Sequence, residues 1–268
     1  MDLRRLGIVI FGLLVFGVAK LAYEEELTRD FREIHFFQSQ LNLDVRAQTT
    51  QMGFVAALSG VRAPVADIIW AKTYDAFADT NWGKLKLLLE AATSLQPRTM
   101  LFWDNASWHM AWNASIASLR NEAAQPREVL RIKASREYVR LGEDFLLRGI
   151  AHNPDRAKLY DSLGMLYSQR MNDPCKAAWA YFEGAKRPDA LSYVHRFAVY
   201  QLAKCPGHEA ETLRLLRVLY HAGPQERTPT MLNLLKQFQE KLNVPAAERI
   251  DITQDLKEAT PRRAPPAK

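Results

Sequence analysis

The sequence predicts an all-α fold, a solenoid of helical hairpins behind one N-terminal transmembrane or signal helix. Three observations carry this expectation. Apolar residues recur at three- and four-residue intervals through most of the chain, as in Leu85, Leu88, Leu89 and Ala92, or Leu213, Leu216 and Tyr220. Strand alternation and hairpin dipeptides such as Asn-Gly or Asp-Gly are absent. Prolines punctuate the helical stretches at long, regular intervals. Composition agrees: 48% hydrophobic and 25% charged residues are globular values, so a core can form. A content of 12 Gly and 13 Pro excludes a collagen-like or linker-dominated chain. A mean hydropathy of −0.25 excludes a polytopic membrane protein.

The first element is the apolar run from Leu6 to Ala19, which follows Arg4 and Arg5. Counted to Ala19 it has 14 residues, the length of a signal-peptide core. Counted through Tyr23 it has 18, which as a helix nearly crosses the hydrocarbon of a bilayer. Gly17, Val18 and Ala19 offer the small residues a signal peptidase needs. Lys20 and Tyr23 instead suit a membrane interface, and Glu24 to Phe37 continues with helix formers and no Pro or Gly, which favours an uncleaved anchor. Both alternatives keep Arg4 and Arg5 cytoplasmic and place the body across the membrane, in the periplasm if the source is bacterial. The expected layout is an anchor or signal over 1–23 and a membrane-proximal helical region over 24–63. Hairpins follow over 64–224, a capping helix within 225–250 and a structureless tail over 251–268.

The hairpins are set out by the prolines. Pro154 and Pro188 stand 34 residues apart. Six residues after Pro97, Pro154 and Pro188 come the bulky Trp103, Tyr160 and Val194. Nine residues after come the apolar Ala106, Leu163 and Phe197, and ten after come the small Ser107, Gly164 and Ala198, suited to close helix approach. Tyr160, Leu163, Gly164, Tyr167, Ala177, Tyr181, Ala185 and Pro188 fall in the pattern of a tetratricopeptide (TPR) repeat, as do Trp82, Leu85, Leu89, Ala92, Leu95 and Pro97 for the second helix of an earlier unit. The stretch 64–224 therefore resembles a TPR protein, with one extra residue near Asn172 and Asp173, an insertion over Asn121 to Arg136, and 36 rather than 34 residues from Pro188 to Pro224. A nonrepetitive helical bundle is the plainer alternative. Thr228 to Leu242 is expected to cover the last hairpin, since a repeat stack needs a polar cap. Beyond Pro245 the apolar period is lost.

Cys175 opens one helix and Cys205 closes the next, so an antiparallel pair would bring them together. In an oxidising compartment a bridge between them would stabilise the chain by about 3 kcal/mol. Two free thiols are the alternative.

Catalytic chemistry finds little support. The six histidines include no pair spaced for a metal, and no Gly-rich phosphate loop or Gly-x-Ser-x-Gly elbow occurs. No metal, cofactor or nucleotide is expected. The net charge of +6 is spread along the chain, and the basic residues at 127–140 are interleaved with Glu128 and Glu137, as on a solvated helix face rather than a nucleic-acid groove. Asn105-Ala-Ser107 and Asn113-Ala-Ser115 match the glycosylation sequon but fall within predicted helix, where the match carries little weight.

Five of the six tryptophans lie between residues 70 and 112. The TPR resemblance implies a concave surface lined by the first helix of each hairpin. Its columns fall on Trp70, Asp104, Asp161 and His195, then on Tyr74, Trp108, Met165 and Val199, with Trp112 and Gln169 beyond. TPR proteins that clamp a terminal carboxylate use Lys and Asn in these columns, and Asp161 and Met165 stand there instead. The implied partner is a basic or apolar protein segment held by Trp70, Tyr74, Asp104, Trp108, Trp112, Asp161, Met165 and His195. The plainer alternative packs these aromatics between helices. The expected function is a tethered scaffold for assembly of an envelope or membrane complex, without catalysis. An anchored or secreted enzyme using Asp104 and Asp161 as paired carboxylates on a sugar or peptide is the competing expectation.

Overall fold

The computed structural model describes residues 60–123 and 125–259. The apolar run Leu6 to Ala19, nearly all of the expected membrane-proximal region and residues 260–268 lie outside the described residues. Among the described residues no helix is long and apolar enough to cross a membrane. They form an all-α body of about ten helices, each packed chiefly on its neighbours in sequence. The chain divides between Ala106 and Ser107 into two compact units.

The first unit holds α1 (Arg62–Ala78), α2 (Trp82–Leu95) and the start of α3 (Met100–Trp108). Thr80, at φ 52°, turns the chain between α1 and α2, and the Asn81 side chain caps α2 by accepting from Lys84 N–H at 3.0 Å. Leu85, Leu89 and Ala92 have no exposed surface, and Ala92 packs in one cluster with Ala66, Ile69 and Phe102. Trp103 is also buried, and its indole N–H donates to Pro97 O at 2.9 Å.

The second unit begins with the end of α3 and a π-helical turn (His109–Ala114), which runs into α4 (Ser115–Arg120). It continues through α5 (Glu128–His152), α6 (Ala157–Gln169), α7 (Pro174–Ala185), α8 (Ser192–Leu202), α9 (Glu209–Ala222), α10 (Pro229–Lys241) and α11 (Thr253–Ala259). The expected insertion is a short loop followed by the first turns of the 25-residue α5. α6 follows the sequence pattern closely: Tyr160, Leu163, Gly164 and Tyr167 are all buried. A Cβ at Gly164 would lie 2.8 Å from the Tyr181 ring of α7, so only glycine admits this approach. Tyr160 O–H donates to Pro154 O at 3.3 Å, the bond Trp103 makes to Pro97 from the same offset. Asn172, at φ 53°, takes the left-handed turn where the sequence has its extra residue, and Asp173 caps α7 by accepting from Lys176 N–H at 2.9 Å.

α8 departs from the expected register. Phe197, expected in the interior, is 41% exposed, whereas Val199, expected on the concave face, has no exposed surface. The cause is what lies beyond α8. Val199 joins Leu213 and Leu216 of α9 and Met231, Leu232 and Leu235 of α10 in the largest apolar cluster described, and burying it turns Phe197 outward. Hydrogen bonds still link helix starts at similar separations: Ala157 N–H donates to Asp189 at 2.8 Å and Tyr193 O–H to Asp161 at 3.1 Å, each across 32 residues.

Cys175 and Cys205 are bonded, with their Cα atoms 5.1 Å apart, and join the start of α7 to the chain just after α8. The bond suggests an extracytoplasmic body, since such bridges persist in oxidising compartments. α10 forms where a capping helix was expected, with the Thr228 side chain accepting from Met231 N–H at 3.3 Å. The tail expected from residue 251 is instead ordered as far as α11. Ile252 is buried, Asp255 accepts from Tyr220 O–H at 2.8 Å and from Arg227 at 3.1 Å, and the Gln239 amide both donates to Ile250 O and accepts from its N–H. This contact was hidden because the segment is held by polar bonds and isolated apolar residues rather than by an apolar stripe.

Replacing both cysteines by serine should lower the unfolding free energy by about 3 to 4 kcal/mol, the loop-entropy value for a closure of this length. Urea denaturation of the oxidised protein and the Cys175→Ser/Cys205→Ser variant measures it, and equal midpoints would show that the bond adds no stability.

Candidate functional site: a tryptophan pair on a π turn

The segment His109–Ala114 winds wider than an α-helix, as π turns do when an extra residue is accommodated. Ser115 N–H bonds back to Met110 O and Trp112 O rather than to Ala111 O, the acceptor a regular α-helix would give it. Side chains serve Ala111 O instead. The Ser115 hydroxyl donates to it, and so does Arg170 Nε, at 2.9 Å, from the end of α6. Arg170 Nη2 also donates to Ser115 Oγ at 2.8 Å. A buried carbonyl without a partner is costly, so these two donors sustain the turn.

The inner side of the turn is pressed onto α5. Met110, Ala111 and Ala114 have no exposed surface. At Gly142 a Cβ would stand 2.6 Å from Ala111 Cβ and 3.0 Å from Ser107 O. The outer side carries Trp108, 45% exposed, and the half-buried Trp112. Their rings stack with centroids 4.8 Å apart and planes 14° from parallel. Offset stacking of this kind leaves indole faces and edges available for contact. Between them His109 is half-buried, and desolvation lowers its pKa from the ordinary 6.5. Its Nδ1 lies 3.2 Å from Asn113 Nδ2, which donates when that ring nitrogen carries no proton.

The eight residues expected to bind a partner fall on both units, and each unit is described by itself. In the first, Trp70 stacks on Phe102 at 4.4 Å, a packing role; Tyr74 is 73% exposed, and Asp104 is half-buried. In the second, Trp108 and Trp112 come together. Asp161 is 16% exposed at its side chain, accepts from Tyr193 O–H and lies 3.9 Å from Lys158 Nζ, so it ties α6 to α8. Met165 is half-buried, and His195 meets the edge of Phe182 rather than Asp161. Tyr193 and the exposed Phe197, whose rings lie 5.3 Å apart, occupy the place expected for His195 and Val199. Asp104 and Asp161 belong to different units and form no carboxylate pair within either.

None of the eight lines either of two open cavities of the second unit. One, of about 590 Å³, lies along α9 beside Arg214, Arg217 and His221; the other, of about 550 Å³, lies between α10 and residues 246–257. Among the described residues no cluster of His, Cys, Asp or Glu could hold a metal ion. Ser107 and Ser115, the third residues of the two sequons, are buried. Arg170, Ser115 and Gly142 escaped the sequence reasoning. The one available signal was Gly142, an isolated glycine within a long helical stretch. No protein-family model matches the chain, and neither a curated protein nor a solved structure matches it.

The His109 shift has a definite sign. Its folded pKa lies below 6.5, so on acidification the unfolded chain binds the proton first. The stability due to neutral His109 is complete above pH 6.5 and is lost as pH falls towards the folded value. Between about pH 7.5 and pH 5 the thermal midpoint should therefore fall further in the wild type than in His109→Gln. Equal falls would remove His109 as a source of acid sensitivity.

Proposed function

We propose that this chain is a membrane-tethered, TPR-like scaffold that holds a protein or peptide partner on the noncytoplasmic side, in assembly of an envelope or membrane complex. The tether is the Leu6–Ala19 run. The Trp108–Trp112 stack is the observation that carries this reading: large aromatic side chains are the most common anchors of protein interfaces, and Trp108 keeps nearly half of its surface open. Stacked indoles suit an apolar or basic segment, by burial and by cation–π attraction. The TPR-like register draws support from the matching Trp103–Pro97 and Tyr160–Pro154 hydrogen bonds and from the glycine contact between α6 and α7. The Cys175–Cys205 bond supports a body outside the cytoplasm.

Affinity capture with the full chain in mild detergent, alongside a Trp108→Ala/Trp112→Ala control, tests the proposal. A specific protein retained by the wild type should bind the control at least about 30-fold more weakly, the loss expected when an aromatic hot spot worth about 2 kcal/mol is removed. Identical capture by both proteins would refute the role of the pair.

A further inference from the structure

We infer that Arg170 is the positioning residue of the Trp108–Trp112 surface, acting through the π turn; its bearing on binding rests on the function proposed above. Arg170 ends α6, where its own N–H bonds to Leu166 O, and its side chain crosses 59 residues of sequence to reach Ala111 O. Both of its hydrogen bonds go to the turn, to Ala111 O and Ser115 Oγ. The planar guanidinium suits two acceptors side by side, and its charge strengthens both bonds.

Without Arg170 the Ala111 carbonyl keeps only the Ser115 hydroxyl. The backbone alternative is an α-type bond from Ser115 N–H, which removes the extra residue of the turn and rotates Trp112 about the helix axis relative to Trp108. Gly142 limits the freedom of the opposite side, because Ala111 already sits against it. Arg170 thereby links the end of α6 to the geometry of the aromatic pair.

Stacked indoles give an exciton couplet in circular dichroism, which reads ring geometry directly and needs no partner. In the full chain in mild detergent the couplet should be present in the wild type and vanish in Trp108→Phe and Trp112→Phe. Arg170→Ala should reduce it by about twofold or more at unchanged helix content, and Arg170→Lys, which keeps a donor but not the fork, should recover part of it. An undiminished couplet in folded Arg170→Ala overturns the inference. If that variant does not fold, Arg170→Lys decides: a weakened couplet at preserved helicity supports the role, and an unchanged one overturns it. Partner capture separates the two proposals, since loss of the couplet in Arg170→Ala with full capture by Trp108→Ala/Trp112→Ala would uphold the positioning role and remove the binding role.

Discussion

Three helix contacts in the second unit are closer than a side-chain carbon permits. A Cβ at Gly142 would stand 2.6 Å from Ala111, one at Gly164 2.8 Å from the Tyr181 ring, and one at Gly184 2.9 Å from Tyr160. Interior glycine costs a helix about 0.5 to 1 kcal/mol relative to alanine, so each of these positions is offset by packing. Because protein interiors are close-packed, the contacts fix both the separation and the rotation of adjoining helices. Gly164 and Gly184 set α6 on α7. Gly142 sets α5 against the π turn, and so decides which residues of that turn face inward.

That inward choice leaves Trp108 and Trp112 on the outside. With Met110, Ala111 and Ala114 committed to the interior, the two indoles stack on the free side and the carbonyl of Ala111 needs a donor from elsewhere. Arg170 supplies one from the next helical hairpin. A steric constraint, an unusual helical turn and a long-range hydrogen bond thus act on the same few residues. The disulfide works at the other end of the α6–α8 layer, where it joins the start of α7 to the end of α8.

Much of the fold was legible in the sequence because local chemistry and global packing agree there. The helix class, the α6–α7 hairpin, the extra turn residue at Asn172 and the pairing of Cys175 with Cys205 all follow from spacing and turn chemistry. The offset of six residues from proline picked out Trp103 and Tyr160, which make matching bonds. The rotation of α8 was not legible, because Phe197 and Val199 are both apolar and only the cluster with α9 and α10 decides which is buried. The site was half legible. An aromatic concentration marked Trp108 and Trp112, but a π turn has no sequence signature of its own, and Arg170 looks like any exposed helix end until α6 is placed beside the turn. Asp161 carried a recognition role in the sequence reading and is instead a tie to Tyr193.

The dependence of the helix layer on glycine contacts is tested most directly by a double-mutant cycle at Gly164 and Tyr181. Gly164→Ala alone should destabilise the protein by about 2 kcal/mol through overpacking. In a Tyr181→Leu background, where the ring is gone, the same change should cost nothing or stabilise slightly, because alanine favours helix. An equal cost for Gly164→Ala in both backgrounds, measured by chemical denaturation, would contradict the view that this contact sets the spacing of α6 and α7.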